Sequence, residues 1–204
     1  IGFRLGINGV FGNMGVAAAP LVIGVLLTVG DWRLCFAASG LFCIAYGMVF
    51  MLRLVEDSAP AAKKAAKGVT GFAPGWQMAL GAMLMSTASG GFIFGAMTFV
   101  VPRYFEISLP AISTSVAVTG LLASIVYAAA SFTQIGVGWL IDRVPPKWVL
   151  FSVGVGQVIF VALAASFTDY ALFFAMLVAM CFVFGQIPIT DTILSRYVPD
   201  SWRA

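Results

Sequence analysis

Charged residues are so sparse in this 204-residue chain that they leave six long uncharged runs. These are Leu5 to Val29, Leu34 to Leu52, Gly68 to Pro102, Ile107 to Ile141, Trp148 to Thr168 and Tyr170 to Thr190. A helix that crosses the ~30 Å hydrocarbon core of a bilayer needs about 20 predominantly apolar residues. Each run is that long or nearly so, and the two longest have room for loop residues as well. A transmembrane β-barrel would instead alternate apolar and polar residues in segments of about ten, and no such alternation is present. The pattern predicts an all-α integral membrane protein, a polytopic helical bundle with spans over 6–29, 33–53, 77–101, 114–140, 148–167 and 170–190. Only 9% of the residues are charged and 61% are apolar. A soluble domain carries about 25% charged residues, so a water-coated globule is excluded.

The same scarcity removes other functions. A net charge of +3, spread along the chain, is no footprint for nucleic acid. No histidine is present, which removes imidazole catalysis and His-ligated metals. Cys35, Cys43 and Cys181 sit inside apolar runs without metal spacing and read as small buried hydrophobes. No acid pair lies within a span. The chain is therefore expected to be no enzyme and to hold neither metal nor cofactor.

Basic residues set the orientation. Arg4, Arg53, Lys63, Lys64, Lys67, Arg143, Lys147, Arg196 and Arg203 gather on one side of the six spans, and Arg33 and Arg103 on the other. Basic residues favour the cytoplasmic side. Both ends and the polar stretch 54–76 are thus expected in the cytoplasm, and the chain in the cytoplasmic (inner) membrane. The stretch 54–76 has the composition of a tether. It divides the chain into 1–53, with two spans, and 77–204, with four. The chain starts at Ile1, and no positively charged leader precedes a short apolar core; it reads as an internal fragment.

Gly138-Trp139-Leu140-Ile141-Asp142-Arg143-Val144-Pro145-Pro146-Lys147-Trp148-Val149-Leu150 follows the fourth span. This stretch resembles the cytoplasmic loop signature of the major facilitator superfamily, G-x-L-x-D-R-x-G-R-K-x-x-L. Gly138, Leu140, Asp142, Arg143, Lys147 and Leu150 match, whereas Pro145 and Pro146 replace the usual Gly and Arg. Asp142 can accept hydrogen bonds from a helix N-terminus, whose dipole favours an anion. Arg143 and Lys147 can pair with acids on neighbouring helices. Asp191 is the candidate partner, since an acid near a span end is costly unless paired. The resemblance implies a cytoplasmic gate made of Gly138, Asp142, Arg143, Lys147 and Asp191.

The first span, with Gly6, Asn8, Gly12, Asn13, Gly15, Ala19-Pro20 and Gly24, resembles the Gly/Pro-rich fifth span of the same family. Asp31-Trp32-Arg33 resembles the family's short outer turn. Asn8, Gly12, Gly15 and Ala19 share one helix face, on which a small-residue strip lets helices pack closely. Gly12, Gly15 and Gly24 are accordingly expected to serve packing, and Pro20 permits a kink. In the fourth span Gly120, Ser124, Tyr127, Ser131, Gln134 and Gly138 also share one face. Polar side chains are costly in lipid, so this face is expected to look inward. Tyr127 and Gln134 are the leading solute-contact candidates, followed by Asn8, Asn13 and Gln186.

Taken in order, the segments are similar to spans five to ten of a twelve-span facilitator. The resemblance implies secondary transport of a small solute by alternating access, with export and proton coupling both open. The partners are the solute, the bilayer and the remaining spans of the same polypeptide; the full-length protein is expected to be a monomer that binds no nucleic acid. Gly12-Asn13-Met14-Gly15 also resembles the G-N-x-G core of nitrate/nitrite porters. Those porters hold the anion with an Arg in the eighth span, and Ile107 to Ile141 contains none. A non-transporting membrane receptor is the remaining alternative.

Overall fold

A computed structural model describes residues 2–54 and 75–197, without the side chains of Leu54 and of 194–197. The tether at 55–74, its three lysines and Arg203 lie outside the described residues. Among those residues the chain is helical, with no strand. Helices run over Gly2–Val29 (α1), Trp32–Leu54 (α2), Trp76–Ser108 (α3), Val116–Ile141 (α4), Pro146–Ser166 (α5), Asp169–Gly185 (α6) and Ile187–Tyr197 (α7). Six stretches are long and apolar enough to cross a membrane, the sixth formed by α6 with the start of α7.

Two boundaries differ from the sequence expectation. The third span runs on through Pro102 and Arg103 to Ser108. Its 33 residues reach about 50 Å, further than a ~30 Å core. The extra turns carry an Arg103–Glu106 ion pair at 2.6 Å, one turn apart on an exposed face. The sixth span breaks at Gln186, just before Pro188. Proline lacks an N–H and fits the first turn of a new helix, so α7 starts here while the chain is still apolar at Ile187 and Ile189.

Helix starts follow local chemistry. Ser115 accepts a hydrogen bond from the Val118 N–H at 3.3 Å and caps α4. Pro146 stands at the first position of α5. Asp31 bonds the N–H groups of Arg33 and Leu34 at 3.1 and 3.2 Å and so starts α2.

The main core lies where α3, α4 and α6 meet, around Phe105, Leu109, Tyr127, Met180 and Phe184. Phe94, Tyr127 and Phe184 form a run of ring contacts, with centroids 5.1 and 6.1 Å apart. Such pairs contribute about 0.5–1.5 kcal/mol each beyond burial. A smaller cluster of Val137, Ile141, Val149, Val153 and Ile189 closes the end of α4 against α5 and α7. The α2 helix is the exception. It carries Phe36, Leu41, Phe42, Ile44 and Leu52 on exposed surface, the surface expected of a helix facing lipid or further spans. Cys43 is on this surface and is exposed rather than buried, whereas Cys35 is buried.

Candidate functional site

Among the described residues the most intimate helix contact is between α1 and α4, which run antiparallel. A Cβ added at Gly2 would stand 2.6 Å from the Gly138 carbonyl oxygen, and one at Gly24 2.8 Å from that of Val116. At Gly6 it would meet the Gln134 carbonyl, and at Gly120 the Pro20 carbonyl. Backbone therefore lies close to backbone near both ends of the two helices. In lipid, where no hydrophobic drive favours helix pairing, this is how close packing is achieved.

The packed face of α1 is Gly2, Gly6, Val10, Ala17 and Gly24, all buried. This corrects the sequence expectation for α1. Asn8, Gly12 and Gly15 are exposed, Asn13 is half-buried, and neither Gly12 nor Gly15 has an atom within 4 Å of an added Cβ. At about 100° per residue, position 8 stands about 200° around the helix from position 6. The strip of Asn8, Gly12, Gly15 and Ala19 thus lies on the far side of the seam. Gly24 does pack as expected, and Pro20 contributes its carbonyl to the crossing with Gly120. Beside it the Leu21 N–H donates to Ser124 Oγ at 3.0 Å, a link worth about 0.5–1.5 kcal/mol.

At the end of the seam the Asp142 carboxylate caps α1. The Gly2 N–H donates to Oδ1 at 3.0 Å and the Phe3 N–H to Oδ2 at 3.1 Å. A carboxylate that accepts from two backbone N–H groups is stabilised in its charged form. The Phe3 and Gly2 N–H groups hold the Asp142 carboxyl below the usual carboxylate range. The loop after α4 is thereby tied to the start of α1.

The rest of the expected gate is arranged differently. The Arg143 guanidinium lies over the Trp139 ring, 3.8 Å from its centroid, and donates to the Trp139 carbonyl at 3.3 Å. Lys147 lies 5.5 Å from the centre of the Trp148 ring. Asp191 is exposed on α7, and among the described residues no ion pair joins it to Arg143 or Lys147. Rings beside the two cations satisfy them locally, a cation–π contact worth about 0.5–1 kcal/mol at exposed sites.

Gly120, Ser124, Tyr127, Ser131, Gln134 and Gly138 are all buried, and the stripe on α4 faces the protein interior. Its members meet different neighbours. The Tyr127 hydroxyl donates to the Thr98 carbonyl of α3 at 3.0 Å, and its ring stacks on Phe184 of α6. Ser131 donates to its own helix at Tyr127. Gln134 is fully enclosed, and neither Nε2 nor Oε1 has a hydrogen-bond partner. Its Oε1 occupies the space that a Cβ on Gly9 would need. An unpartnered buried polar group costs about 1–3 kcal/mol.

Gln186 stands at the break between α6 and α7 and anchors a polar chain. Its Nε2 donates to the Ser86 carbonyl and Oγ, both at 3.1 Å, and its Oε1 accepts from Gln157 Nε2 at 3.0 Å. Gln157 also donates to the Phe182 carbonyl at 3.2 Å. This links α3, α5 and α6. Gln157 was not among the residues expected from the sequence, although an uncharged polar residue in an otherwise apolar span is the same signal that marked Gln134. Two cavities flank the chain. One, of about 230 Å³, is lined by Thr87, Gly90, Gly91, Phe94, Val183 and Gln186, among others. The other, of about 340 Å³, lies between Ser86, Pro146, Lys147 and Ile193. No set of three or more Cys, Asp or Glu residues able to hold a metal exists among the described residues.

A family profile described as Major Facilitator Superfamily matches residues 1–204. Comparisons with curated proteins and with solved structures find no match.

Proposed function

Because the chain belongs to the Major Facilitator Superfamily of membrane transporters, we propose that it moves a small solute by alternating access, with the α1–α4 seam as the surface that parts. The observation that carries this reading is the Asp142 cap on α1. It joins the loop after the fourth span to a helix on the other side of the 54–76 tether. A contact made of two backbone N–H donors and one carboxylate can form and break without repacking a core. It suits a latch that holds one end of the seam in one state of the cycle.

On this reading 1–53 ends one helical bundle, 54–76 is the tether and 77–204 begins the second bundle. The excess of basic residues on the Asp142 side supports a cytoplasmic position for the latch, the tether and both chain ends. The membrane is then the cytoplasmic one. Gln186 and the cavity beside it, lined by Thr87, Gly90 and Gly91, are the solute-contact candidates. That lining carries no charge and suits an uncharged solute better than nitrate. The test is uptake and release of a panel of labelled sugars, amino acids, organic acids, cationic dyes and nitrate in proteoliposomes of the full-length protein. Transport of at least one solute, lowered by Asp142→Asn at unchanged protein level, supports the reading. No transport of any panel member favours a receptor, and transport at the wild-type rate by Asp142→Asn removes the latch.

A further inference from the structure

We infer that Gln134 is a positioning residue of the transport cycle, one that weakens the closed α1–α4 seam so that its cytoplasmic half can part. The inference rests on the seam being the moving surface. Gln134 is fully buried, and both polar atoms of its carboxamide are enclosed and unpartnered. Its side chain points at Gly9, where any side chain would displace the amide oxygen, and its own carbonyl packs on Gly6. The glycines leave a slot shaped for the amide but give it nothing to bond. The α1 backbone groups there are used within the helix, and a glycine Cα–H is at best a weak donor. A leucine or methionine would fill much the same volume without an unpaired donor and acceptor. If packing were the only role of this position, the amide would be the poorer choice.

An amide left unpaired when the seam is closed, and hydrated when it opens, favours opening. Asp142, two turns further along α4, acts in the opposite sense, since its two hydrogen bonds exist only while α1 is docked. The two residues bias one interface in opposite directions, which keeps both states of the seam populated.

Spin labels at Arg4→Cys on α1 and Trp148→Cys on α5, both exposed positions, report the separation of the two ends. The background is the full-length protein with its other cysteines replaced, in nanodiscs of phosphatidylethanolamine and phosphatidylglycerol. Asp142→Asn provides a reference in which the long-distance population is enlarged. In that reference Gln134→Leu should raise the ratio of short to long distances by about tenfold, and Gln134→Met should shift it the same way. Gln134→Asn, which keeps an amide, should not. An unchanged ratio with both apolar variants overturns the inference and leaves the Asp142 latch standing. A ratio that falls makes Gln134 a simple packing residue and overturns it as well. If Asp142→Asn fails to enlarge the long-distance population but Gln134→Leu reduces it, the latch fails and the Gln134 role stands. If no variant shows a long distance, the seam does not open and both readings fall.

Discussion

Two helix contacts in this molecule are built on opposite principles. The α1–α4 seam is built on small residues, with Gly2, Gly6, Gly24, Gly120 and Gly138 bringing backbone against backbone. Hydrogen bonds cross it at Ser124 and at Asp142. The contact of α6 with α3, α4 and α5 is bulky and polar by comparison. The rings of Phe94 on α3 and Tyr127 on α4 pack on Phe184 of α6, and the Ser86–Gln186–Gln157 chain bonds α3, α6 and α5. Smooth small-residue surfaces can part or slide with few bonds to break, whereas interlocked rings and amides resist it. On the proposed mechanism the first contact is the one that moves and the second holds its helices together.

The sharpest way to break this comparison is to put a side chain into the seam. Gly6→Leu would meet the Gln134 backbone, and overpacking of this kind costs about 1–3 kcal/mol or more. It should abolish transport and lower the melting temperature of the detergent-solubilised protein. Gly12→Leu and Gly15→Leu, on the open face of α1, should leave the melting temperature within about 1–2 °C of wild type. Equal effects at Gly6 and Gly12 would mean that the packed face is assigned wrongly.

The second contact is tested by Gln186→Leu, which removes the bonds to Ser86 and to Gln157. Stability should drop by about 1–3 kcal/mol, read as thermal unfolding, while the spin-label distance across the seam stays at its wild-type distribution. A shift in that distribution would show that the two contacts are coupled.

Asp142→Asn should affect the opposite set of observables. It should reduce the closed-to-open ratio of the seam about three- to tenfold and leave thermal unfolding nearly unchanged. Acid should mimic it. Because the α1 N–H groups lower the carboxyl's pKa in the folded protein, its contribution is fully present above the ordinary carboxylate value of about 4. It is lost only as the pH falls through the lower folded value. The seam's distance distribution should therefore be flat from pH 8 to about pH 4, opening only at lower pH, and in Asp142→Asn this acid response should vanish.

The smallest effect is expected at Tyr127. Tyr127→Phe keeps the ring stack on Phe184 and loses the bond to the Thr98 carbonyl, a loss of about 0.5–1.5 kcal/mol in stability. Solute affinity should not change, since the hydroxyl is used between α3 and α4. A weakened apparent affinity would return Tyr127 to the solute pathway.

Much of this architecture was legible because lipid imposes simple rules. Uncharged runs of sufficient length can do little in a membrane except form helices, so the six spans follow from where the charges fall. The inward face of α4 was readable because Ser124, Tyr127 and Gln134 are costly elsewhere. That Asp142 bonds backbone N–H groups of another helix was readable because a helix start favours an anion. The packed face of α1 was not, since glycines and alanines stand on both sides of that helix. Hydropathy does not distinguish the side that meets α4. The break at Gln186 was hidden for a related reason: Gly185 to Pro188 interrupts the helix but not its apolar character. The expected Arg143–Asp191 pairing rested on charge alone, and Trp139, one turn before Arg143, offers that side chain a nearer partner.

The central claim, that the seam between α1 and α4 must part at its Asp142 end, is tested most directly by tying that end shut. Phe3 and Trp139 line one surface depression beside Asp142. Phe3→Cys and Trp139→Cys, joined by a short cleavable thiol cross-linker with the native cysteines replaced, tether the helices there and leave the α1 backbone N–H groups in place. Transport in proteoliposomes should stop on cross-linking and return on cleavage of the linker. Transport at the uncross-linked rate in fully cross-linked protein would contradict the account.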